Sequence, residues 1–467
     1  MAYNAATMAD MKNNALAKLL SRSEIANESA AAESIQEILV ALREHLKMDI
    51  AFVSEFKDGR RVFLSVNSAS GEAPIKAGDS DPIEESYCHL ITEGQLPEII
   101  MDTSLIPKAD SLAVTSALSI GAYLGVPLRF SDGRLFGTFC CLSHRPDITL
   151  HDRDLSLMKV FGPIIAGILE RRSEEQKRRN TITTDISKMI DSRQFMTVYQ
   201  TIHKAFDGSP VGLEALTRFA DSEVRSPADW FEEASEVGLG VELELALIRN
   251  AVAGLRYFPN HIYLTLNASA ETIISGKLDE ILRGVPQERL VIELTEHEAV
   301  ENYTELQKHL QPLRDRVRFA IDDVGAGFSS LRHILILEPD IIKLDASLIH
   351  NLHEDPKRIA LVQALVTFAK SLDIILVAEG VECEDELNEL RKLGVDKVQG
   401  YFFSRPMPLL AASHFLCFDP DIRGPQTAAD QVKSTTRGVA VDVNDPNLPV
   451  AESTNFRPQK GRLTSKC

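Results

Sequence analysis

Several absences narrow the class of this chain before any motif is read. No uninterrupted apolar run approaches the ~18 residues that a membrane-spanning helix needs. The opening stretch MAYNAATMADMKNNALAKLL lacks the apolar segment of a secretory signal. Both points lead to the expectation of a cytoplasmic protein with no membrane partner. The six cysteines, Cys88, Cys140, Cys141, Cys383, Cys417 and Cys467, fall at no metal-ligand spacing, so neither a zinc site nor a disulfide framework is expected. Cys140 and Cys141 lie inside the apolar run LFGTFCCL and read as small buried hydrophobes. Positive charge is also short. With 50 Lys and Arg against 68 Asp and Glu, the formal charge of −18 argues against a DNA- or RNA-binding surface, because phosphate backbones are held by clustered cations. An acidic protein that handles phosphate needs metal ions or a few well-placed basic groups.

What is present is a soluble globular composition, 44% hydrophobic and 25% charged, over 467 residues. That length predicts two or three domains. Residues 1–29 read as an N-terminal helical segment. Up to residue 172, helical patterns bracket the apolar runs DIAFVSEF, AYLGVPLRF and RLFGTFCCLS, with the turn signal SDGR between the last two. An antiparallel sheet flanked by helices follows from that pattern. Apolar residues at helical spacing, Leu157, Phe161, Ile164 and Ile168, then Ile182, Ile186 and Met189, flank the charged segment ERRSEEQKRRN. They predict a linker helix over 173–194 that extends the preceding helix, with Gly162 and Pro163 a candidate interruption.

Past residue 194 the pattern changes to strands alternating with amphipathic helices: TVYQTIHKAF, VGLEALTRF, IYLTLNAS, LVIELTEH, RFAIDDVGAG, IIKLDASL, ILVAEGVE and KVQGYFFSRP. Eight strands over roughly 225 residues predict a (β/α)8 barrel of the TIM type. From 419 to 467 the chain is polar and nearly free of aromatics, which predicts a disordered tail.

The stretch VGLEALTRF carries Glu214 and Arg218 among apolar neighbours, and a strand period of two puts both on one face. Other strands repeat the arrangement. Asn267 follows IYLTL, Glu293 follows LVI, Asp322 and Asp323 follow RFAI, Lys343 and Asp345 interrupt an apolar run, Glu379 follows ILVA and Gln399 follows KV. In a barrel these carboxyl ends converge at one mouth, where such folds build their sites. So many carboxylates in one cavity require cations. Oxygen donors without His or Cys suit hard ions, so two Mg²⁺ or Mn²⁺ ions serving phosphoester cleavage are the expected cofactor, with Arg218 and Lys343 facing phosphate or water.

These residues, taken in order, carry a resemblance. E-A-L-T-R from Glu214, N-A-S from Asn267, E-L-T-E from Glu293, D-D-V-G-A-G from Asp322, K-L-D from Lys343, A-E-G-V-E from Ala378 and Q-G-Y-F-F-S-R-P from Gln399 make residues 195–418 resemble the EAL phosphodiesterase domain of bacterial cyclic di-GMP signalling. The resemblance implies a barrel with one antiparallel strand that opens cyclic di-GMP to linear pGpG. It implies one metal on Glu214, Asn267, Glu293 and Asp322, and a second on Asp322, Asp323 and Glu379. It also implies Lys343 and Gln399 near the catalytic water, Glu379 as base, ligand or both, Arg218 on a substrate phosphate, and Glu296 steadying the loop after Asp323. Asp345 and Glu382 would belong to the same substrate pocket. The family's commonest loop reads D-F-G-T-G; Val324 and Ala326 replace its Phe and Thr, and no ligand is lost.

Residues 30–172 resemble a GAF domain, a small ligand-sensing α/β fold, chiefly through IGAYLGVPLRFSDGRLFGTFCCLS. The resemblance implies an unidentified small-molecule ligand that regulates the barrel. Cys88 followed by His89 resembles a bilin attachment pair, but a two-residue motif carries little information and a plain helical cysteine is the better reading. The apolar stripe of the linker fits either a solvated connector or a homodimer seam, and a homodimer is the expected assembly. Three function classes follow: a regulated cyclic di-GMP phosphodiesterase, an inert cyclic di-GMP receptor, which usually lacks a ligand residue, and an unrelated barrel hydrolase such as a two-carboxylate glycosidase.

Overall fold

The structure, a computed structural model, describes residues 28–71, 74–220, 225–295, 303–325 and 330–417. Residues 1–27, Glu296, Ala326 and the tail from 418 lie outside the described residues. The chain divides near residue 180 into two compact units.

The first unit is built on a six-stranded antiparallel sheet. Its strands are β1 (Ile50–Lys57), β2 (Arg60–Ser68), β3 (Ser80–Pro82), β4 (Ile99–Ile100), β5 (Ala122–Arg129) and β6 (Leu135–Ser143), in the order β3-β2-β1-β6-β5-β4. A two-residue turn, Asp58–Gly59, joins β1 to β2 with both residues at positive φ, the conformation that matches strand twist in a tight hairpin. Alternation then sorts β6 onto two cores. Cys141 and Phe139 face the helix Glu28–Leu46 through Ile35, Ile38, Leu39 and Leu42, together with Met158, Ile165 and Leu169. Cys140 and Leu142 face the opposite core, beside Phe52, Phe63, Tyr123 and the helix Tyr87–Thr92.

One helix, Asp152–Asp191, runs 40 residues without a break. Pro163 sits inside it, so the expected interruption does not occur: proline removes one intrahelical donor, and the apolar contacts of Met158 before it and of Ile165, Ala166, Ile168 and Leu169 after it hold the helix on either side of that gap. Its C-terminal turns, with Ile182, Ile186 and Met189, pack on Phe195, Phe219, Trp230, Leu243 and Leu247 of the second unit's own core.

The second unit is a closed barrel of β7 (Phe195–Lys204), β8 (Pro210–Phe219), β9 (Tyr263–Asn267), β10 (Leu290–Thr295), β11 (Arg318–Val324), β12 (Ile341–Leu344), β13 (Ile375–Ala378) and β14 (Lys397–Gln399). From β8 to β14 neighbours are parallel; β7 runs antiparallel to both β8 and β14 and closes the ring. A short ninth strand, β15 (Met407–Pro408), pairs on the side of β7. The expected TIM-like barrel with one antiparallel strand is therefore present. Helices on the outside bury the apolar outer face of the strands in one large core. Inside, Ile202, Tyr263, Val291, Ala320, Ile341 and Val377 form an apolar layer, so the barrel is plugged rather than open.

Candidate active site

Directly above that apolar layer the same inward register turns ionic. Two residues beyond Val291, Ala320, Ile341 and Val377 on their strands stand Glu293, Asp322, Lys343 and Glu379. Lys343 is 1% exposed, and its ammonium lies 2.6 Å from Glu379 Oε1, 3.1 Å from Glu293 Oε2, 3.1 Å from Asp322 Oδ2 and 3.5 Å from Glu214 Oε1. Three N–H donors face four carboxylates. Gln399, on β14, donates from Nε2 to Glu214 Oε2 and to Gln200 Oε1, fixing the Glu214 carboxylate from the far side.

The charge balance is lopsided. Burial pushes the Glu293 carboxyl well above its usual range; Lys343 opposes the shift, and Glu214, Asp322 and Glu379 add to it. Burial likewise pushes Glu379 up to about 8, with Lys343 opposing. The Lys343 ammonium loses hydration on burial, yet the four carboxylates hold its pKa well above the ordinary value. Among the described residues, no group donates to the buried Glu293 Oε1. A buried carboxylate oxygen without a donor, in a ring with more negative than positive charge, fits a cation.

The donors form two groups. Glu214, Glu293 and Asp322 each offer an oxygen within 4.8 Å of the others, and so do Asp322, Asp323 and Glu379. Asp322 belongs to both. Consecutive residues of a regular strand point to opposite faces, so two neighbouring aspartates could not share one region. The register of β11 against β12 slips between Ile321 and Val324, and Asp323 takes a left-handed backbone with φ of 57°. That bulge brings both carboxylates together, with Asp323 N–H donating to Asp322 Oδ1 at 2.9 Å. Gly325 follows at φ of 114°, where a Cβ would lie 2.3 Å from Leu348, so the turn out of β11 admits only glycine.

The remaining expected residues are distributed less tightly. Asn267 ends β9 opposite Glu293 in the parallel register, and its side chain is exposed. Arg218, half-buried near the end of β8, donates to the Thr217 carbonyl at 2.8 Å. Asp345 caps the helix Ala346–Ile349, accepting from Ser347 N–H at 3.0 Å. Glu382 is exposed. Two supporting residues were missed by sequence reasoning. Gln200 is 7% exposed, pairs with Glu214 across β7 and β8, and donates to the Ser404 carbonyl at 3.1 Å. Glu244 accepts from Ser269 N–H at 2.9 Å and Ser269 Oγ–H at 2.8 Å, and so holds the turn that follows Asn267. A glutamine breaking the apolar alternation of β7 was a readable signal for the first; nothing in the helix pattern marked the second.

An oxygen-lined acidic ring at the carboxyl ends of parallel strands, cradling one lysine, suits hard cations. Residues 183–406 match the EAL domain and residues 31–169 the GAF domain, so the chain carries a GAF domain followed by an EAL domain. Among characterised relatives it is 32% identical over 249 residues to the oxygen sensor protein DosP of Escherichia coli, and 32% identical over 245 residues to the cyclic di-GMP phosphodiesterase NbdA of Pseudomonas aeruginosa. Each match covers 50% of this chain and 31% of the relative, so the chain spans about a third of their length. A solved structure described as the PaMucR phosphodiesterase in complex with c-di-GMP is 27% identical, covers 50% of this chain and 99% of that one, and gives a TM-score of 0.46. Among the described residues no helix is long and apolar enough to cross a membrane.

Proposed function

We propose that the EAL unit is a metal-dependent phosphodiesterase that hydrolyses one phosphodiester of cyclic di-GMP to give linear pGpG. The observation that carries this reading is the ring of Glu214, Glu293, Asp322 and Glu379 around Lys343, with no donor to Glu293 Oε1 among the described residues. The donor set is oxygen throughout, which favours Mg²⁺ or Mn²⁺ over softer ions. Glu214, Asn267, Glu293 and Asp322 would hold one ion, and Asp322, Asp323 and Glu379 the other. When bound, the pair would make a water nucleophilic near neutral pH and offset charge on the phosphate oxygens.

The protein's own groups do the positioning. Lys343 gathers carboxylates from four strands and keeps its charge, so the ring stays assembled and retains one fixed cation beside the reacting phosphate. Gln399 locks the rotamer of Glu214, and its own Oε1, which meets no donor among the described residues, would accept a water proton. Arg218 would hold a non-bridging phosphate oxygen, and Glu382 would meet the substrate's outer portion. Asp345, which also caps the following helix, would line the same substrate pocket. Glu296 is proposed to steady the loop after Asp323. The GAF unit, with an unidentified small ligand, would regulate the barrel in a homodimer. The test is incubation of the purified chain with cyclic di-GMP and Mg²⁺, Mn²⁺ or Ca²⁺, followed by chromatography. pGpG should appear with the first two ions and not with Ca²⁺, whose looser, longer coordination does not suit a tight two-ion geometry. Undiminished turnover in EDTA would overturn the reading.

A further inference from the structure

The first unit buries a cluster that its packing does not explain. Arg61, on β2, is 2% exposed, and its guanidinium reaches between two partners. On one side it forms a two-point ion pair with Asp81, which lies on the three-residue edge strand β3. On the other, Nη1 donates to Cys88 Sγ at 3.1 Å. The rings of Phe52 and Phe63 flank the guanidinium at 5.7 and 4.6 Å. Cys88 Sγ lies 3.2 Å from Tyr123 Oη and 3.5 Å from Cys140 Sγ. Both thiols are fully buried.

We propose that Cys88 and Cys140 form a peroxide-reactive dithiol inside the GAF unit, with Arg61 stabilising the attacking sulfur, and that oxidation closes a reversible bridge between the helix Tyr87–Thr92 and β6. The two sulfurs already touch, and a disulfide needs them to approach to about 2 Å, a shift within the reach of side-chain rotation. Burial alone would push Cys88 up. The Cys140 thiol that donates to it, the Arg61 guanidinium, Thr138 and Tyr123 outweigh burial and hold Cys88 well below the usual thiol range. Cys140 moves the other way, kept protonated by burial and by the neighbouring Cys88 sulfur. One sulfur is thus the nucleophile and the other the resolving thiol.

The reaction balances with hydrogen peroxide as the oxidant. The Cys88 thiolate attacks one peroxide oxygen; an S–O bond forms, the O–O bond breaks, and hydroxide leaves, giving a sulfenic acid. The Cys140 thiol then attacks Cys88 sulfur; the S–S bond forms, the S–O bond breaks, and the departing hydroxide takes the Cys140 proton as water. The sulfurs lose two electrons and the peroxide gains them. Full burial selects a small uncharged oxidant over a peptide disulfide.

Cys141 supplies an internal control. It is the next residue, equally buried, on the opposite face of β6, and burial pushes its thiol up to about 12. The full chain, freed of reductant, is treated with hydrogen peroxide, denatured, alkylated and digested for mass spectrometry. Cys88 should be lost at least about tenfold faster than Cys141, a disulfide-linked peptide pair containing Cys88 and Cys140 should appear, and dithiothreitol should abolish it. In Cys140→Ser, Cys88 should instead be trapped by dimedone. Equal loss of Cys88 and Cys141, full recovery of both, or oxidation of Cys88 in the wild type without a bridge to Cys140 would each overturn the proposal.

Discussion

Replacing Lys343 with methionine keeps most of the side chain's length and deletes the ammonium that four carboxylates surround at 2.6 to 3.5 Å. The carboxylates remain, three of them nine-tenths buried, with no ammonium among them. Removing one partner from a buried ion pair costs about 3–5 kcal/mol, because the charge left behind is uncompensated. In a unit of this size each kcal/mol shifts the midpoint by about 2–4 °C, so the barrel's transition should fall by roughly 6–20 °C in EDTA. Calorimetry of the full chain follows that transition separately from the GAF unit's. Saturating Mn²⁺ should narrow the gap, since bound cations restore part of the missing positive charge. A Lys343→Met barrel that melts within about 2 °C of wild type in EDTA would refute the electrostatic account of the ring.

Glu214→Ala should lower turnover by more than the ~10–100-fold typical of residues that only support a metal ligand, while the melting curve holds or rises as repulsion in the ring is relieved; unchanged melting with near wild-type turnover would show the wrong residue was chosen. Burial, helped by Arg318, pushes the Lys397 ammonium at the amino end of β14 down to about 8. Below that pH the group is protonated in both folded and unfolded chains; between about 8 and 10.5 the unfolded chain binds the extra proton, so stability should rise with pH across that window. The increment should vanish in Lys397→Met, and an identical pH profile in the two proteins would contradict the assignment. Inserting two residues near Gln176 turns the helix Asp152–Asp191 by about 200° at 3.6 residues per turn and should change basal activity or abolish its response to GAF ligands. Equal activities with both proteins monomeric by light scattering would remove the linker from the regulatory scheme.

Most of the ring was legible because barrel strands write their chemistry at their carboxyl ends, and Glu214, Glu293, Asp322, Lys343, Glu379 and Gln399 each end or interrupt an apolar stem. What sequence could not express was geometry set by partners distant in the chain. The bulge that lets Asp322 and Asp323 act together depends on how β12 pairs with β11. Asp345 reads as a pocket residue from its place after β12, and its second role, accepting from Ser347 N–H as a helix cap, depends on the turn that follows it. Pro163 looked like a break and is absorbed because tertiary packing outweighs one lost helical bond. Cys88 and Cys140 stand 52 positions apart, and only the fold of the sheet brings them, with Arg61, into one cluster.

The central claim, that this acidic ring hydrolyses rather than merely binds, is tested most directly by measuring binding and turnover of cyclic di-GMP on the same preparation. Calorimetry in Ca²⁺ should show binding, and a switch to Mn²⁺ should convert the bound nucleotide to pGpG, with Glu214→Ala failing at the second step. Tight binding in both ions with no pGpG in Mn²⁺ would contradict the account and make the barrel a receptor.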